Sequence, residues 1–100
     1  MRYGYRLHPD TEKDYNEAYE WYEEKVKGLG ERFIKAVRNK IEEIAEHPAT
    51  FGSRIRKGYR EAQVDFFPYL IVYKVYPKQK EIFIASIHHT KKNSKKKYRK

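Results

Sequence analysis

The sequence contains no cysteine. It therefore forms neither disulfides nor thiolate metal sites, and it suits a reducing compartment. No apolar run approaches the length needed to span a bilayer, and the start of the chain lacks the hydrophobic stretch of a signal peptide. The expectation is a soluble, cytoplasmic protein with no membrane partner. There is no glycine-rich phosphate loop, no nucleophile pattern and no internal repeat. Histidines are few. His88 and His89 are adjacent and would point to opposite faces of a strand, so they cannot share one metal ion. His8 and His47 stand beside Pro9 and Pro48 and read as helix-boundary residues. Neither a metal nor a cofactor is expected.

Acid is missing from the end of the chain. Residues 88–100 hold six lysines and one arginine with no acid, which is +7 of a formal net charge of +9. Residues 10–46 run the other way, with eleven acids against seven bases. One hundred residues make one domain with a single modest core. We read that domain over 1–93 and a basic tail over 94–100. The tail is either a solvated extension or an electrostatic footprint for nucleic acid or an acidic protein.

What is present is a change of period. Residues 3–7 suggest a short strand. Pro9 and then Asp10 or Thr11 open a helix, with Thr11 and Asp14 spaced as a capping box. Tyr15, Ala18, Tyr19, Tyr22 and Val26 fall on one face of that helix, which is expected over 11–26. Gly28-Leu29-Gly30 ends it, because glycine enters the left-handed cap conformation freely. Phe33, Ile34, Val37, Ile41 and Ile44 mark a second helix over 31–46, stopped by Pro48. Two helices joined so closely fold back as a hairpin.

After Pro48 the period drops to two. Strands are expected over 59–64, 69–76 and 82–87, with turns at 65–68 and 77–80. Tyr69, Ile71, Tyr73 and Val75 face one way; Leu70, Val72, Lys74 and Tyr76 face the other. The predicted fold is α+β: an antiparallel four-stranded sheet, with residues 3–7 as an edge strand and the helical hairpin packed on one face. The other face is less covered, which makes it a candidate groove for a partner.

These landmarks resemble the RelE/ParE toxin superfamily. Glu17 to Glu24 followed by Gly28-Leu29-Gly30-Glu31-Arg32-Phe33 is similar to its helical hairpin. Tyr59-Arg60, Phe67-Pro68-Tyr69 and Tyr73 are similar to its middle strands, and Ile84 to Asn93 to its closing strand. The resemblance implies a type II toxin, a plasmid-stabilisation protein neutralised by a cognate antitoxin whose tail wraps it. ParE-like members poison DNA gyrase, and RelE-like members cut mRNA on the ribosome. A third alternative is a binding module of the same fold without toxicity. The chain departs from the pattern at Lys92, where many relatives have arginine, at Ser94, often proline, and at Tyr98, often tryptophan. Lysine lacks arginine's bidentate fork for phosphate.

Cutting RNA through its 2′-hydroxyl needs a base, an acid and cations around the phosphorane. Arg60, His89, Lys92 and Tyr98 are the catalytic candidates, with Lys91 as a further cation and Glu61 as an extra base. In the plainer reading His89 closes the sheet by a structural hydrogen bond and Arg60 is an ordinary ion-pairing residue. Candidate contacts to a partner or nucleic acid are Trp21, which lies off the apolar stripe, with Arg54, Arg56, Lys57, Lys91, Lys95, Lys96, Lys97 and Arg99.

Overall fold

The computed structural model describes residues 2–48, 53–54 and 58–91. The chain runs β1 (Gly4–Leu7), α1 (Pro9–Lys25), α2 (Leu29–Glu46), β2 (Ser53–Arg54), β3 (Tyr59–Gln63), β4 (Tyr69–Tyr76) and β5 (Glu81–His89). The strands form one sheet in the order β1-β5-β4-β3-β2. The α+β architecture and the β3-β4-β5 meander are as the periodicity predicts. Two features differ. Ser53–Arg54 adds a two-residue fifth strand beside β3, and β1 pairs with β5 in parallel rather than antiparallel. A parallel pair needs a long crossover. Here everything between residues 7 and 81 serves as one, so strand spacing alone carries no signal for it.

The start of α1 also departs from expectation. His8 is its N-cap, with Nδ1 accepting from the Asp10 N–H at 3.0 Å, and Pro9 follows in the first turn. Thr11 and Asp14 make no capping box, because both reach across to the sheet. The buried Thr11 hydroxyl lies 3.2 Å from the Ile84 carbonyl and 3.0 Å from that of Ala85, donating to this pair. Asp14 Oδ2 accepts from the Ile87 N–H at 3.2 Å. They meet β5 where it carries one extra residue: Val72 pairs with Ser86, but Tyr73 pairs with Ile84. Such a bulge disrupts the ladder locally, and side chains from α1 take up its polar groups.

The link between the helices is three residues long. Gly28 takes the left-handed conformation at φ 89° and caps α2. Gly30 is not part of the turn; it is buried in the first turn of α2, where α1 passes closest. Val26, expected on the apolar stripe, lies past the end of α1 and is exposed.

The main core lies between the hairpin and the sheet. Ala18, Tyr22, Phe33, Val37, Ile41 and Ile44 meet Ala62, Ile71, Tyr73, Ile82, Ile84 and Ile87. At one end Tyr22, Phe33, Phe67 and Tyr69 pack as an aromatic nest, with ring centroids 5.0–6.1 Å apart in edge and tilted contacts. Phe67 comes from the β3–β4 turn, so this turn is anchored in the core.

The opposite face of the sheet is not the open groove that was expected. Tyr59, Val72, Phe83 and Ala85 form a second apolar cluster and are all buried. The Arg6 guanidinium lies 4.6 Å from the Phe83 ring centre, and Lys74 Nζ lies 4.9 Å from that of Tyr59. Long cationic side chains can lay apolar stems along such rings while their charges stay in water. Among the described residues, no helix is long and apolar enough to cross a membrane.

Candidate partner and nucleic-acid interface

The candidate residues fall into two groups on the sheet. Arg60 on β3 is directly opposite Tyr73 on β4, and His89 at the end of β5 is opposite Tyr69. Tyr69 and Tyr73 belong to the helix-facing cluster, so Arg60 and His89 share that face. They lie on opposite sides of β4 and four residues apart along it. That separates their backbones by about 13 Å along the strand and about 10 Å across it.

Each is engaged locally. The His89 ring stands edge-on to Tyr69, centroids 5.0 Å apart at 85°, and its Nδ1 accepts the Lys91 backbone N–H at 3.0 Å. That bond closes the end of β5, as the plainer reading of the sequence has it. An accepting Nδ1 also puts the ring proton on Nε2 in the neutral imidazole. Arg60 stands beside buried Tyr73. Burial pushes the Tyr73 hydroxyl up to about 12, and the positive charge of Arg60 opposes part of that rise.

Glu61 follows Arg60 on the same strand and so projects from the opposite face of the sheet. It therefore cannot serve as a base at the same point as Arg60. His88 is buried and points away from His89 in the same manner. Among the described residues, no three His, Asp or Glu side chains group as metal ligands.

Trp21 is exposed, as expected from its place off the stripe. Lys25 Nζ sits 4.9 Å from its ring centre, and Tyr22 meets it edge-on at 5.2 Å. Lys91 is exposed just beyond β5. Arg54 is placed by its backbone, opposite Arg60 in the β2–β3 register. Arg56, Lys57, Lys92, Lys95, Lys96, Lys97, Tyr98 and Arg99 lie outside the described residues.

Sequence reasoning missed one residue of this region. Phe66, in the β3–β4 turn, is 98 % exposed and has a positive φ of 70°. The doublet Phe66-Phe67 in a four-residue turn was an available signal, since two adjacent aromatics there do not both face the core.

An antiparallel meander carrying a helical hairpin, with a cationic strand end, defines the RelE/ParE class of folds. The chain matches the family of the ParE toxin of the type II toxin–antitoxin system parDE over residues 5–94, and it belongs to that family. Its fold is similar to a chain of the chromosomal ParDE toxin–antitoxin system of P. aeruginosa, with TM-score 0.79 and 14 % identity, covering 90 % of this chain and 98 % of that one. It is also similar to a chain of the RelBE2 toxin–antitoxin complex of Mycobacterium tuberculosis, with TM-score 0.68 and 17 % identity over 89 % and 99 % of the two chains. A mutant of the E. coli toxin RelE in the free state gives TM-score 0.68 and 17 % identity over 91 % and 86 %. No curated protein sequence matches the chain. The chain is thus a toxin of the ParE/RelE type by family, and its likeness to both branches is a likeness of fold.

Proposed function

We propose that this toxin acts by binding DNA gyrase rather than by cutting RNA, and that it works in the cytoplasm under the control of a cognate antitoxin. The separation of Arg60 from His89 carries this reading. The two groups that sequence reasoning offered for phosphate and proton transfer approach β4 at different points, and His89 already spends one ring nitrogen on the end of its own strand. General acid–base catalysis requires such groups within hydrogen-bond reach of one reacting centre. Membership of the ParE family supports the same direction.

The antitoxin is expected to be acidic. Residues 47–100 carry fourteen bases against three acids, and an acidic wrapping segment is complementary to that half. Two measurements test the proposal. Purified toxin is assayed against gyrase supercoiling, and transcripts from induced cells are mapped by primer extension. Inhibited supercoiling with intact transcripts is expected. Cut transcripts with unaffected supercoiling would replace this reading with the ribonuclease one, and no growth effect would leave a non-toxic binding module. Recovery of a complex after co-expression with the neighbouring small open reading frame tests the antitoxin.

A further inference from the structure

We propose that Phe66 is the anchor by which this chain seats itself in an apolar pocket of its folded target protein; the target's identity as gyrase rests on the reading above. Three observations carry this. First, the Phe66 side chain is 98 % exposed, the most exposed of the large apolar residues among those described. Second, its φ is 70°, a conformation that non-glycine residues seldom adopt and that asparagine would occupy with less strain. An exposed aromatic in a left-handed turn serves no packing purpose in the fold, and strained backbone is retained where function requires it.

Third, the turn is rigidly held on both sides of the ring. Val64 N–H donates to the Tyr69 carbonyl at 2.9 Å, and Tyr69 N–H to the Phe67 carbonyl at 2.8 Å. Asp65 pairs with Lys40 of α2 at 3.5 Å, and Phe67 is buried in the aromatic nest. A projecting aromatic that is already fixed in place loses little freedom on binding, which is the character of an interface hot spot.

The chemistry of the partner follows from the surroundings. The turn's other aromatics, Phe67 and Tyr69, are buried, so Phe66 has no second exposed ring in the turn with which to clamp a nucleobase. Asp65 beside it is unfavourable to phosphate. A single knob instead fits a preformed hydrophobic pocket, which a folded protein offers and a wrapping antitoxin segment does not. The Thr90 N–H donates to the Pro68 carbonyl at 3.0 Å, which ties the start of the strongly basic sequence to this turn.

The test compares wild type, Phe66→Asn and Phe66→Leu in full-length protein. Thermal melting, inhibition of supercoiling by purified gyrase and growth arrest on induction are measured for each. Phe66→Asn should melt at or above the wild-type temperature, inhibit gyrase about 10- to 100-fold less well, and lose growth arrest. Phe66→Leu, which keeps an apolar side chain, should retain most of the inhibition. If Phe66→Asn melts well below wild type, the ring supports the fold and the proposal is overturned. If it inhibits and arrests as wild type does, the proposal is equally overturned. Wild-type growth arrest without gyrase inhibition refutes the gyrase reading alone, and the growth comparison then decides on Phe66. No arrest by wild type overturns both.

Discussion

Glu23, in the last turns of α1, caps the helix that follows it through Gly30. Its two carboxylate oxygens accept the Gly28 and Gly30 backbone N–H groups at 2.9 Å each. A carboxylate there satisfies donors that the first turn of α2 leaves unpaired and meets the positive end of its dipole. Gly30 makes the approach feasible. A Cβ at this position would lie 2.7 Å from the Tyr19 carbonyl oxygen and 2.9 Å from Glu23 Oε1.

Gly30→Ala should therefore destabilise the fold by about 1–3 kcal/mol, as overpacking does, although alanine is the better helix former. Glu23→Ala should cost about 0.5–2 kcal/mol as a lost cap. Because both act on the same close approach, the double variant should lose less than the sum of the single losses. Urea unfolding followed by circular dichroism measures all three, and a strictly additive pair would show that the cap is independent of the helix approach.

The bulge in β5 gives a second prediction. Thr11→Val keeps the shape of the side chain but removes the hydroxyl that donates to Ile84 and Ala85. The Ile84 carbonyl still accepts the His8 N–H at 3.0 Å, so the loss is that of one buried hydrogen bond and stability should fall by about 0.5–1.5 kcal/mol. Asp14→Ala should expose the Ile87 amide to faster hydrogen exchange, since its acceptor is lost. Unchanged stability and unchanged exchange at Ile87 would mean that α1 does not hold the bulge.

Local period and local composition account for most of what the sequence reveals here. The helix-to-strand switch at Pro48, the meander, and the alternation of Tyr69, Ile71 and Tyr73 toward the core are all short-range patterns. What escaped is long-range. The Thr11 and Asp14 spacing looks the same whether the pair caps its own helix or bonds a strand more than 70 residues away. The bulge at Ala85 is likewise invisible to strict alternation, and it decides which of His88 and His89 joins Tyr69 on the helix side. The candidate residues Arg60 and His89 were named in the sequence by residue type alone. Their division into an Arg60 end and a His89 end depends on register, which hydrophobic pattern alone leaves open when both faces of a strand are apolar.

Alkaline pH should weaken the fold in a defined direction. Burial raises the hydroxyls of Tyr15, Tyr22, Tyr59, Tyr69 and Tyr73 above the ordinary tyrosine value, the last to about 12. In the unfolded chain these groups lose their protons near pH 10, whereas the folded chain holds them longer. The unfolded state then binds fewer protons, so stability declines as pH rises from about 10 toward 12 and is unaffected by these groups below that window. Tyrosinate absorbance and circular dichroism, followed together, should show the last tyrosines ionising only as the fold is lost. Complete ionisation of all ten tyrosines in a still-folded protein would contradict this burial.

The final prediction separates mechanism from scaffold. In His89→Ala the Lys91 amide loses its acceptor and Tyr69 loses its edge contact. Stability should fall by about 0.5–2 kcal/mol, while a folded variant still inhibits gyrase with nearly wild-type potency. Arg60→Ala should likewise leave inhibition intact. It should also move the Tyr73 ionisation slightly higher still, because a charge that opposes the effect of burial is gone. A ribonuclease would behave differently, since losing a positioned proton-transfer group costs about 10²–10⁴-fold in rate. Melting, supercoiling inhibition and primer extension on both variants distinguish the cases. A folded His89→Ala protein that loses a cleavage activity present in wild type would return His89 to a catalytic role and end the binding-only account.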